Sequence, residues 1–188
     1  MRGAEEKMRK TKIICIFSII CMTMFLQVGC GQKNDVPEDI AVQGSFVEFS
    51  YEELKDTAKI IAKIEVTGDL TTENSFEITD PETGTCGGFY GKRTCKVLEY
   101  YKDVTGNYTE ELSFIEAAAI IKGQYLHIDG YDALQKGHQY IVYLNDDTAS
   151  GDMSIMSCNN GVVRLDEKES NLQFPEIAAK TMEEAAAQ

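Results

Sequence analysis

The sequence predicts a mainly β, α+β fold: a small closed antiparallel barrel with a short N-terminal helix and a C-terminal helix. Three observations predict it. Short β-branched and aromatic segments recur between turn formers from residue 58 to 165. A capping box stands just ahead of the first segment, and an Ala- and Glu-rich tail follows the last. Six or seven short strands must close on themselves or stack as two sheets to avoid open edges.

The elements follow in order. Ser50-Tyr-Glu-Glu53 places a Ser at the N-cap and a Glu at N3, which opens a helix from Tyr51 to about Thr57. Ala58–Val66 is β-branched and partly alternating, the first strand. Residues 67–92 read as a long polar loop carrying Asp80-Pro-Glu-Thr-Gly84 and Cys86-Gly-Gly88. Thr94–Tyr101 and Glu111–Ala117 are the next strands, separated by Thr105-Gly-Asn107, and Tyr125–Ile128 is a short one. His138–Leu144 is the strongest strand signal of the chain. Met153–Ser157 and Gly161–Leu165 flank Asn159-Asn-Gly161, the signature of a tight hairpin turn. Pro175 suits the first position of a terminal helix over Glu176–Gln188.

The first 29 residues read as an export signal. Arg2, Lys7, Arg9, Lys10 and Lys12 precede an apolar core of about 14 residues, Ile13–Leu26, shorter than the roughly 20 that span a bilayer. Val28-Gly29-Cys30 resembles the end of a bacterial lipoprotein signal, with Gln27 where that pattern has Leu. The resemblance implies cleavage before Cys30, acylation of its thiol, and a chain held on the outer face of the cell membrane by lipid. An ordinary secretory signal and an uncleaved anchor are the other readings. Residues 30–49 are polar, contain Pro37 and read as the lipidated Cys and a tether; residues 50–188 read as the single folded domain.

The chain has 18 basic and 31 acidic residues, and the leader holds five and two of them. The remaining 159 residues therefore carry 13 and 29, a net charge of −16. Such a domain lacks the clustered cations that nucleic acid demands. It is also repelled by anionic headgroups, so the lipid on Cys30 is the expected membrane contact.

Beyond the leader and Cys30, three cysteines remain, in a compartment that permits a disulfide. Cys86 and Cys95 bracket a glycine-bearing stretch and are the candidate pair; Cys95–Cys158 and three free thiols are the alternatives.

Three segments together resemble small Firmicute lipoproteins with an OB-like, netrin- or TIMP-N-like barrel. They are Tyr51–Ile64, Lys96–Asp103 with Leu112–Glu116, and Gly130–Leu144. The last contains Leu134-Gln-Lys-Gly-His-Gln-Tyr140, similar to that class's Leu-x-Lys-Gly-x-x-Tyr turn; Asp103 departs from its usual Lys-Gly strand end. The resemblance implies an OB-like closed barrel. It does not carry protease inhibition with it, because acylation would block an N-terminal Cys30, and fold alone does not fix function.

No catalytic signature accompanies the fold: no Gly-x-Ser-x-Gly elbow, no phosphate-cradling loop and no HExxH. His127 and His138 are expected in structural roles. The acidic run 145–152 fails the EF-hand pattern at its twelfth place, Met156, which leaves Asp146, Asp147 and Asp152 as a weak calcium candidate. Tyr100, Tyr125, Tyr140 and Tyr143 are the candidate ligand face, because strand tyrosines on an OB-like barrel stack on sugars or peptides. The expectation is a non-enzymatic binding or interaction module without cofactor, meeting a protein or glycan of the cell envelope. The alternative is an envelope enzyme using the 67–92 region.

Overall fold

The computed structural model describes residues 37–146, 148, 151–166, 171 and 173–187. The leader, Cys30 and Asp147 lie outside the described residues. Five strands close a barrel: β2 (Ile60–Val66), β4 (Cys86–Asp103), β5 (Glu111–Glu116), β8 (Gln139–Asn145) and β9 (Ser154–Ile155). Their neighbours run β2–β4–β5–β9–β8 and back to β2, with β5 and β9 parallel and every other pair antiparallel. This is an OB-like closed barrel, as the sequence predicts.

Alternation along the strands builds two cores. Ile60, Ala62 and Ile64 of β2, Cys95 of β4, Phe114 of β5 and Tyr140, Val142 and Leu144 of β8 fill the barrel. The intervening Ile61, Ile141 and Tyr143 face outward against α1 (Tyr51–Thr57) and α2 (Pro175–Ala187). β2 and β8 are thus buried on both faces, which is why they read as nearly continuous apolar runs. Two register shifts between β2 and β4 add the local coiling that a small barrel needs.

The Ser50–Glu53 capping box forms as predicted. It sets α1 so that Leu54 is fully buried, a burial worth roughly 1.5–3 kcal/mol. Tyr143 joins the second layer from below: its hydroxyl pairs with Thr181 of α2 at 2.7 Å.

Four expectations are corrected. The folded unit begins at Pro37, not at residue 50. Glu38–Val42 of the expected tether is β1, which pairs in parallel with β7 (Gln124–Ile128). With β6 (Ala118–Ile121) they make a separate three-stranded sheet, ordered β1–β7–β6. Polar side chains on an edge strand mimic a linker, since β1 needs partners only through its backbone.

Most of the expected 67–92 loop is strand. β3 (Ser75–Thr79) pairs with the first residues of β4 to form a hairpin arm. Cys86 and Cys95 therefore lie in one continuous strand. Nine residues of strand span about 30 Å at 3.3 Å each, whereas a disulfide needs Cα atoms within about 7 Å. All three described cysteines are free, Cys86 exposed and Cys95 and Cys158 buried.

The Asn159–Gly161 hairpin is absent. β9 and β10 (Val162–Arg164) both pair antiparallel with β8 and lie end to end along it. Residues 157–161 loop out between them. Ser157 and Cys158 adopt left-handed backbone there, and Gly161 lets the excursion close: a Cβ on it would sit 2.2 Å from the Met156 carbonyl oxygen.

Candidate functional site

The chain leaves the barrel at Ala117 and crosses β4 before forming the small sheet. Gly91 permits the crossing, because a Cβ there would lie 2.5 Å from the Ala118 carbonyl oxygen. Lys122 and Gly123, both at positive φ, then turn β6 into β7 as a two-residue hairpin. A cleft of about 590 Å³ remains beside the barrel mouth. Asp39 of β1, Asp69, Tyr125 and His127 of β7, Asp132 and His138 all line it.

Beneath the cleft lies a buried ion pair, Arg93 with Glu116, at 4% and 3% exposure. The Arg93 Nε–H donates to Glu116. Its other nitrogens donate to the Gly68 carbonyl at 3.0 Å and the Leu134 carbonyl at 2.6 Å. Glu116 also accepts from the Tyr131 hydroxyl at 2.9 Å and the Leu134 N–H at 3.1 Å. Each of these buried polar groups has a partner, as a buried charge requires. Burial first, then the Glu116 carboxylate, holds the Tyr131 phenol well above its ordinary pKa.

Charged side chains ring the opening. His127 Nε2 lies 3.0 Å from Asp39 and its Nδ1 lies 2.9 Å from the Ile128 carbonyl. Lys136 reaches Asp69 at 3.2 Å. His138 contacts both Asp166 and Arg164, and Arg164 Nε donates to Asp166 at 3.0 Å. Burial alone would raise the Asp166 carboxyl; hydrogen bonds from His138 and Arg164 outweigh it and hold it below its ordinary value.

The four candidate tyrosines do not share a face. Tyr143 points to the helical layer and Tyr140 into the barrel, where its hydroxyl accepts from the Gln135 N–H at 3.0 Å. Positions 140 and 143 differ by an odd number, so a strand sends them to opposite sides. Tyr100 packs against the barrel core, and its hydroxyl bonds Thr109 at 3.2 Å. Tyr125 alone of the four lines the cleft, stacked on His127 with ring centroids 5.3 Å apart.

Tyr125 differs from the others in a second way. Among the described residues its hydroxyl has no hydrogen-bond partner, while those of Tyr100, Tyr131, Tyr140 and Tyr143 are all engaged. Burial, then the Glu116 and Asp39 carboxylates, push its pKa up to about 12. It is therefore a neutral, partly desolvated phenol facing an open cleft.

The remaining candidates are placed elsewhere. Asp146 is held by Lys59 at 2.6 Å and Asp152 by Lys92 at 3.0 Å. Among the described residues no three His, Cys, Asp or Glu side chains converge to hold a metal. Burial pushes the Cys95 and Cys158 thiols up to about 12, so neither supplies thiolate at neutral pH. The exposed Cys86 donates to the Gly88 carbonyl at 3.4 Å. No described helix is long and apolar enough to cross a membrane. No protein-family model, curated protein or solved structure matches the chain.

Proposed function

We propose that this chain is a lipid-anchored, extracytoplasmic binding module, non-enzymatic, whose ligand occupies the cleft over Tyr125. One observation carries the reading: a half-buried phenol without a hydrogen-bond partner among the described residues, set in a cleft among carboxylates. Water reaches this hydroxyl from the cleft, and a ligand acceptor or donor can take its place there. Asp39, Asp132 and Gln135 surround it with the planar polar groups that recognise hydroxyl- and amide-rich molecules, and the Tyr125–His127 pair adds aromatic surface. A glycan or peptide of the cell envelope fits that chemistry. The acidic domain disfavours polyanionic ligands.

The test uses the full chain extracted in mild detergent. It is incubated with envelope extract alongside Tyr125→Phe and Asp132→Asn. A glycan or protein retained by the parent and lost from both variants supports the reading. Recovery of nothing, or equal recovery by the variants, refutes it. Intact-mass analysis of the same preparation tests the anchor: a species retaining residues 1–29 sinks lipidation at Cys30.

A further inference from the structure

The β3–β4 arm presents an uncovered surface away from the cleft. β3 pairs with β4 alone, so its other edge carries unpaired backbone groups among the described residues. One face of the arm is covered by β6: the Ile120 N–H donates to Ser75 Oγ at 2.8 Å, and Lys122 reaches Glu77 at 3.0 Å. The opposite face is open. There Phe76 stacks on Tyr90 at 5.1 Å, and Ile78 lies against Gly88. Phe76 is 40% and Ile78 53% exposed. An edge strand is normally guarded by Lys or Pro; Ser75-Phe-Glu-Ile-Thr79 has neither.

Charge selects the occupant. Residues 73–90 carry four carboxylates, Glu73, Glu77, Asp80 and Glu82, and no Lys or Arg; Lys122 meets Glu77, which leaves the arm net acidic through Glu73, Asp80 and Glu82. A second copy docked edge to edge would set these against an identical acidic set, which is repulsive. A strand whose side chains alternate apolar and basic meets both features at once. Its apolar residues cover Phe76 and Ile78, and its cations face the carboxylates.

We propose that the arm is a docking site for an extended, basic peptide segment of a partner protein, which adds as a strand to the open edge of β3. Backbone hydrogen bonds supply the register and the aromatic pair supplies the apolar contact.

The probe is a fluorescein-labelled ten-residue peptide alternating valine and lysine, titrated against the full chain in mild detergent and followed by fluorescence anisotropy. A second peptide of the same sequence carries N-methyl groups on alternate backbone nitrogens, which preserves charge and removes strand addition. The plain peptide is expected to bind at least tenfold more tightly than the N-methylated one. Phe76→Ser and Ile78→Ser, both exposed positions checked for an unchanged melting midpoint, each lose that advantage. Tyr125→Phe keeps it, which separates this surface from the cleft. Equal binding of the two peptides overturns the proposal. So does binding unchanged in both Ser variants, tighter binding of a valine–glutamate peptide, or light scattering that shows the arm occupied by a second copy.

Discussion

The Arg93–Glu116 pair gives the sharpest test of how the barrel and the cleft are joined. Both side chains are almost fully buried, and Glu116 satisfies Arg93, Tyr131 and the Leu134 N–H together. Glu116→Ala leaves the guanidinium buried without its counter-charge. Breaking one side of such a pair costs about 3–5 kcal/mol, or about 10 °C in melting midpoint for a domain of this size. The double variant Arg93→Met/Glu116→Leu removes both charges and keeps the volume. Its remaining loss is the partners of four groups, the Tyr131 hydroxyl, the Leu134 N–H and the Gly68 and Leu134 carbonyls, about 1 kcal/mol each, whereas Glu116→Ala loses the first two of these on top of the stranded charge. The double variant is therefore expected to be more stable than Glu116→Ala, although it carries one more substitution. Urea unfolding followed by far-UV circular dichroism reads both values from midpoint and slope. A Glu116→Ala cost below 1 kcal/mol, or a double variant less stable than the single, would refute the reasoning.

Three further outcomes follow from particular contacts. In the same double variant, amide hydrogen exchange is expected to quicken at 68–70 and 133–136, where Arg93 holds two backbone carbonyls, and to stay slow in β8; uniform change would contradict this. Gly161→Ala drives a Cβ into the Met156 carbonyl and should lower stability by about 2 kcal/mol, whereas Gly68→Ala meets nothing within 4 Å and leaves the urea midpoint unchanged. Acid should weaken the fold through Asp80, held low by the Thr83 and Glu82 N–H groups, and Glu184, held low by hydrogen bonds from Lys55 and then Tyr51. Because these folded pKa values lie below the unfolded ones, their stabilisation is complete above the ordinary carboxyl range and is lost as pH falls through the folded values. The urea midpoint should fall as pH drops below about 4, and an unchanged midpoint down to pH 2.5 would remove these two groups from the account.

Much of the barrel was legible because burial leaves a period in the sequence. β2, β5 and β8 match their expected spans closely, since each must alternate or be apolar throughout to fill a barrel. α1 was legible from Ser50 and Glu53, and α2 from Pro175. β1 and β3 were not, because exposed edge strands such as Glu38–Val42 and Ser75–Thr79 impose no apolar pattern. The excursion 157–161 was misread because Asn-Gly reports a local backbone preference. The β8 backbone, paired on both sides of the gap, decides against a hairpin there.

The candidate site was legible in one residue of four. Tyrosine content marks strands, but only the topology tells which sheet a strand joins, and Tyr125 belongs to the small one. The ion pair leaves a signal in the sequence. Arg93 shares the parity of Cys95 and Val97, and Glu116 that of Leu112 and Phe114, so each strand sends a charge to its buried side. Arg93 stands one residue ahead of the expected strand Thr94–Tyr101 and Glu116 lies within Glu111–Ala117, so inward charges of opposite sign at successive strands are a readable pattern.

That pattern also bears on what the cleft is for. A buried ion pair is weak evidence of stability, because apolar residues of the same volume serve as well or better. Its value lies in where its remaining hydrogen bonds go. Arg93 holds the carbonyls of Gly68 and Leu134, and Glu116 holds the Leu134 N–H and the Tyr131 hydroxyl. Leu134 and Tyr131 are both walls of the cleft, and Gly68 precedes its Asp69–Leu70 rim. A single charged centre thus fixes two separate chain segments against each other at the barrel mouth. An apolar substitute could fill the volume and could not set that register. Rigid walls around the Tyr125 phenol suit the binding role proposed above, because they reduce the entropy lost when a ligand arrives.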